Sequence, residues 1–169
     1  MMILVTGGSK CGKSRFAESL FSDIAGPKIY LATMQPYGAE AFAAIERHRK
    51  MRADKGFLTV EQYTDIGRAD IPAGSAVLLE CMGNLLANEM FRGGGITDCA
   101  DKIVSDILHL HQRTGLLVIV TNQVGSDGIC YEAGTAAYIA AIGAVNQKIA
   151  ANADKVIECV YGIPVTLKG

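Results

Sequence analysis

The sequence holds no C-x-x-C pair, no surplus of charge and no charge-free run long enough to cross a membrane. Each absence removes a class of protein. The five cysteines, at positions 11, 81, 99, 130 and 159, form an odd set without paired spacing. That pattern argues against a disulfide framework or a structural zinc site and fits a reducing compartment. The 16 Lys and Arg against 17 Asp and Glu give a formal net charge of −1, without the basic excess of a nucleic-acid binder. The longest charge-free run, Ala133 to Gln147, has 15 residues and includes Thr, Asn and Gln, short of a membrane span. Met1–Val5 is too short for the apolar region of a signal peptide and lacks its basic flank. Repeats, low-complexity tracts and linkers are also missing. The expectation is a soluble, cytoplasmic chain whose residues 1–169 form a single domain.

Half of the residues are hydrophobic, which supplies a core, and they are grouped rather than scattered. Ile3–Thr6, Lys28–Thr33, Ala76–Glu80, Gly115–Thr121 and Lys155–Val160 are short, nearly continuous apolar runs, as in strands covered on both faces. Phe16, Leu20, Phe21 and Ile24 make a helical stripe that Gly26-Pro27 ends. Further helices are predicted over 39–52, 83–91 and 98–112, with Leu58–Tyr63 extended and left outside the main sheet. Ala133–Asn152 reads as a deeply packed helix or a subunit contact. Gly162 divides Val156–Val160 from Val165–Leu167, which predicts a terminal antiparallel pair. Strands alternating with helices imply an α/β fold with a mainly parallel sheet.

Gly7-Gly8-Ser9-Lys10-Cys11-Gly12-Lys13-Ser14 follows the first apolar run and opens the first helical stripe, and it fits G-x-x-x-x-G-K-[ST]. Glycines let backbone N–H groups curl round an anion, and the start of the helix adds unpaired donors. Lys13 offers a charge to the β- and γ-phosphates, and the Ser14 hydroxyl offers a ligand to Mg²⁺. A phosphate loop also needs a carboxylate on a neighbouring strand. Glu80, closing Ala76–Leu79, is the candidate, holding the metal directly or through water.

Arg47-His48-Arg49-Lys50-Met51-Arg52 packs four cations and a histidine into six residues. One reading is a solvated helix end whose cations suit the dipole. The other is a nucleophile toward phosphorus, kept neutral because adjacent cations penalise its protonation, with arginines clamping phosphates. Composition leaves both open. His109 and His111, two apart on a predicted helix, face different ways and make a poor metal pair.

Several segments carry a resemblance: Met2–Gly8 running into the loop, Tyr30-Leu31-Ala32-Thr33, Ile45-x-x-His48-Arg49-x-x-Arg52, Thr59-Val60-Glu61, Leu78-Leu79-Glu80-Cys81, Val120-Thr121-Asn122-x-Val124-Gly125 and Asn146-Gln147. Over nearly its whole length the chain resembles the bifunctional adenosylcobinamide kinase/adenosylcobinamide-phosphate guanylyltransferase family of cobalamin biosynthesis. The resemblance implies a RecA-like P-loop NTPase fold, a homotrimer, and Mg²⁺ with GTP or ATP as substrate. It implies phosphorylation of adenosylcobinamide, and transfer of GMP through His48 to adenosylcobinamide phosphate, giving adenosylcobinamide-GDP. It also implies a nucleotide site formed, beside the loop, by Ala32, Thr33, Met34, Arg49, Lys50, Met51, Arg52, Glu61 and Glu80. Gln123, Ile139-Ala140 and Gly83-Asn84 differ from the Glu, the Arg-Asp pair and the Thr-containing turn usual in that family.

Overall fold

The structure is a computed structural model that describes all residues except 40, 41, 44, 47–49, 51–53, 126 and 127. The strands are β1 (Met2–Thr6), β2 (Lys28–Ala32), β3 (Phe57–Glu61), β4 (Ala76–Leu79), β5 (Leu116–Val120), β6 (Lys155–Val160) and β7 (Ile163–Lys168). The helices are α1 (Lys13–Ser19), α2 (Met82–Met90), α3 (Ala100–Arg113) and α4 (Ala133–Asn152), with a 3₁₀ turn at Ile66–Arg68. Described residues 38–39, 42–43, 45–46 and 50 are helical as well, within the helix expected there.

The strands form one seven-stranded sheet in the order β3-β2-β4-β5-β1-β6-β7. All neighbours run parallel except β6 and β7, which pair antiparallel through a two-residue turn between Val160 and Ile163. Continuous apolar runs become strands buried on both faces because successive side chains alternate between two cores. Met2 and Leu4 of β1 join Leu117 and Ile119 of β5 under α2, α3 and α4. Ile3 and Val5 join Val118 and Phe21 on the α1 side. Each fully buried Leu, Ile or Val contributes roughly 1.5–3 kcal/mol by leaving water.

Three expectations need adjustment. β3 does not stand apart but pairs with β2 as the sheet's edge, from Lys28↔Phe57 to Ala32↔Glu61. The first helix ends at Ser19 and continues as turns, because Leu20, Phe21 and Ser22 N–H groups bond three residues back and two serines compete for the carbonyls. Ser19 Oγ donates to Phe16 O at 2.7 Å, and Ser22 Oγ donates to Ser19 O at 2.9 Å. Finally, α4 is not deeply packed: only Ile142, Val145 and Ile149 are buried, one narrow stripe on a 20-residue helix. No helix among the described residues is long and apolar enough to cross a membrane.

Candidate active site

The motif Gly7–Ser14 forms the turn between β1 and α1, at the carboxyl end of the parallel strands, where open α/β sheets place their ligands. Lys10 takes a left-handed φ of 57°, a conformation that helps curl N–H groups into an anion-binding concavity. Gly12 has a φ of 96°, and a Cβ there would lie 3.1 Å from Gly162 Cα, so only glycine admits both the conformation and the contact. Lys13 is buried, and its ammonium donates to the Gly8 carbonyl at 2.8 Å. Around it Gly7 is buried, Gly8, Cys11, Gly12 and Ser14 are half-buried, and Ser9 and Lys10 are exposed. Two outside groups brace the loop: Gln123 N–H donates to Gly7 O at 3.2 Å and Gly162 N–H to Cys11 O at 2.8 Å.

The neighbouring strands supply a rim. Ala32 ends β2, and Thr33 follows it fully buried, its hydroxyl donating to Cys81 O at 2.9 Å. Met34 is half-buried beyond it. Glu61 ends β3 and accepts a bond from the Tyr63 hydroxyl at 2.8 Å. Glu80 follows β4, half-buried, with its N–H on Leu31 O at 3.3 Å. The loop, Ala32–Met34, Glu61 and Glu80 thus all lie at the carboxyl end of the parallel strands β1 to β4. Lys50 is exposed on a helical segment, whereas His48, Arg49, Met51 and Arg52 lie outside the described residues.

Electrostatics connect loop and rim. Burial pushes the Cys81 thiol above its ordinary value against N–H bonds from Asn84 and Gly83, while Glu80 raises it further and Lys13 draws it down. The loop lysine and the β4 carboxylate thus act on that sulfur with opposite sign. The thiol itself stays protonated at neutral pH and is no nucleophile.

The family model for cobinamide kinase / cobinamide phosphate guanyltransferase matches residues 3–167. The chain belongs to that family. It is 38% identical over 184 residues to the bifunctional adenosylcobalamin biosynthesis protein CobU of Escherichia coli K12, covering 99% of this chain and 100% of that protein. The CobU of Salmonella typhimurium LT2 is 36% identical over the same shares. The CobP of Pseudomonas aeruginosa PAO1 is 27% identical over 176 residues, with 100% of this chain and 98% of the relative covered. Among solved structures, an ATPase of the type III secretion system of pathogenic bacteria superposes with a TM-score of 0.54 at 13% identity. The match covers 98% of this chain and 56% of that one, and it shows a shared fold.

Sequence reasoning missed the residues that hold this rim in place. Asn88 on α2 donates through one Nδ2 to Thr33 O at 2.8 Å and to Tyr63 O at 2.9 Å, joining the segments after β2 and β3. Tyr138 on α4 donates to Gly83 O at 3.2 Å. A Cβ on Gly83 would lie 2.8 Å from that hydroxyl, so the glycine that departs from the usual turn is what admits the tyrosine. Gln123, another neutral departure, donates to Glu158 at 2.7 Å. Glu18 on α1, with its side chain 2% exposed, is paired with Lys55, just past the histidine segment. None of these contacts has a signature in local spacing.

The carboxylates of Asp65, Glu89 and Asp106 also converge. Lys102 already sits among them, 2.8, 2.5 and 3.0 Å from their oxygens, so the group is an ion-pair network. Ser14 in the phosphate loop and Glu80 at the end of β4 offer a hydroxyl and a carboxylate, hard oxygen donors of the type Mg²⁺ takes.

Proposed function

We propose that this chain catalyses both transfers of its family on one phosphate loop. In the first, the aminopropanol hydroxyl of adenosylcobinamide attacks the γ-phosphorus of a nucleoside triphosphate. The new O–P bond forms as the bridging bond to the β-phosphate breaks, and a nucleoside diphosphate leaves. In the second, an imidazole nitrogen of His48 attacks the α-phosphorus of GTP and expels pyrophosphate. A phosphate oxygen of adenosylcobinamide phosphate then displaces His48, giving adenosylcobinamide-GDP and the free imidazole. Splitting one displacement into two lowers each barrier.

What supports this reading is the phosphate loop at the carboxyl end of β1, with Lys13 closing on the Gly8 carbonyl at 2.8 Å and Glu80 leaving the same end of β4, in a chain matched to the family over residues 3–167. Lys13 and the loop N–H groups would hold the phosphates, and Ala32–Met34, Lys50 and Glu61, with Arg49, Met51 and Arg52, the nucleoside end. Ser14 and Glu80 would hold Mg²⁺, which supplies charge neutralisation on the phosphate oxygens. A homotrimer is supported by the apolar residues left on the surface of β7 away from its tip, where Val165 is 43% and Leu167 58% exposed. A reduced cytoplasmic setting is supported by five cysteines without a disulfide.

The test is incubation with α-labelled GTP followed by denaturation. The label is expected to stay on the protein, to disappear in His48→Ala, and to pass to product when adenosylcobinamide phosphate is added. Transfer of γ-phosphate alone, with no labelled protein, would instead establish a kinase without guanylyl transfer.

A further inference from the structure

The hairpin between β6 and β7 has a tip that ordinary hairpin chemistry does not explain. Val160 pairs with Ile163, so Tyr161-Gly162 is a two-residue loop, with φ values of 50° and 83°. Turns with both residues left-handed favour Asn-Gly or Asp-Gly. A bulky side chain in that region is an outlier, and such outliers cluster where function maintains them. The Tyr161 side chain gains nothing from packing in return, because the residue is 95% exposed. The tip nevertheless has a fixed address. Gly162 N–H donates to Cys11 O at 2.8 Å, and the Gly12 Cβ position lies 3.1 Å from Gly162 Cα. An aromatic ring is therefore displayed in water one residue from a backbone contact with the phosphate loop.

Sheet order gives the ring a side. In β3-β2-β4-β5-β1-β6-β7, Glu80 follows β4, two strands from the loop and about 10 Å to one side of it, while the hairpin lies on the other. Ala32–Met34 and Glu61 also lie on the β4 side. The two transfers break different bonds of a triphosphate. On the two-transfer reading, guanylyl transfer sets the α-phosphorus and nucleoside toward the β2–β4 rim. Phosphoryl transfer with the γ-phosphate toward Glu80 sends the α-phosphate and nucleoside the opposite way, across β1 to the hairpin.

We propose that Tyr161 stacks on the nucleobase of the phosphoryl donor, giving the chain two nucleoside positions on opposite sides of one phosphate loop. This rests on the two-transfer reading. Stacking suits an exposed ring because every base has a π-face, and it leaves base identity to be chosen elsewhere.

Calorimetric binding of a non-hydrolysable ATP analogue with Mg²⁺ to the wild type, Tyr161→Ala and Tyr161→Phe tests it, alongside α-labelled GTP retention and sedimentation of each variant. Tyr161→Ala is expected to weaken ATP-analogue binding about 10-fold, and Tyr161→Phe, which keeps the ring, to restore it. GTP labelling should change by less than about 2-fold, and the sedimenting species should stay the same. Equal affinities in all three proteins would overturn the proposal. So would a loss that Phe does not restore, an equal loss for both nucleotides, or a loss that follows a changed assembly. If the wild type retains no label from GTP, the two-transfer reading fails, while the analogue affinities still decide the role of Tyr161.

Discussion

The two sides of the phosphate loop are built differently. On the β4 side, the segments leaving β2, β3 and β4 are tied to one another by side chains: Thr33 to Cys81, and Asn88 to both Thr33 and Tyr63. On the β6 side, β6 meets the loop at Cys159 O beside Gly7 and is joined to Gln123 through Glu158. The hairpin tip, however, touches the loop through backbone alone, by the Gly162 N–H on Cys11 O and the approach of Gly162 to Gly12, with Tyr161 left in solvent. A rim tied by several bonds loses little further freedom when a ligand binds, so it can hold one geometry for attack at phosphorus. A single aromatic face supplies affinity without demanding that geometry. The comparison suggests where exact placement matters: at the transferred group on the tied side, and not at the base on the other.

Removal of what both sides share should have the largest effect. Lys13→Ala deletes the ammonium that closes on Gly8, and both γ-phosphoryl transfer and GTP labelling should fall by about 100- to 1000-fold. A loss in one reaction only would mean that the two do not share the loop.

The tied side can then be loosened alone. Asn88→Ala leaves the Thr33 and Tyr63 carbonyls without their donor, a cost of about 2 kcal/mol, which should lower Tm by about 5 °C. Below that Tm, KM for GTP in guanylylation should rise while affinity for the ATP analogue holds. Equal weakening of both would show that the rim serves the two nucleosides alike.

How far the sequence discloses this asymmetry depends on the range of the contact. β1, β4 and β5 are legible because a strand buried on both faces must be an apolar run, and the loop is legible because its chemistry is contiguous from Gly7 to Ser14. Asn88 is not, since its acceptors lie 55 and 25 residues away and only the β2-β4 adjacency brings them to α2. Glu18 and Lys55 are 37 residues apart and look like surface charges until the fold buries the carboxylate. β3 escapes placement because its Leu58 is 64% exposed, as an edge strand allows. Gly83 reads as a lost turn residue until Tyr138, on a helix 55 residues onward, is seen to need its room.

The smallest expected effect tests whether the ion-pair network behind the rim adds to its firmness. Hydrogen bonds from Lys102 and then Arg92 hold the Asp65 carboxyl below its ordinary value, with burial opposing them. A carboxylate depressed in the folded state contributes stability that is complete above its unfolded pKa, about 3.9, and is lost as pH falls through the lower folded value. Asp154, whose carboxylate accepts the Met2 N–H at 2.6 Å, is also held low by that bond and titrates in the same range. The informative quantity is therefore the difference between wild type and Asp65→Asn. Wild-type Tm should fall more steeply than that of Asp65→Asn between about pH 4 and pH 2, and the two should run parallel from pH 5 to 7. The difference should be small and should shrink in 1 M salt, because the Arg92 and Lys102 side chains are 61% and 41% exposed and water screens the pairs. Parallel curves down to pH 2 would mean that the network adds nothing, and that the β4 side is held by contacts such as those of Asn88 and Thr33.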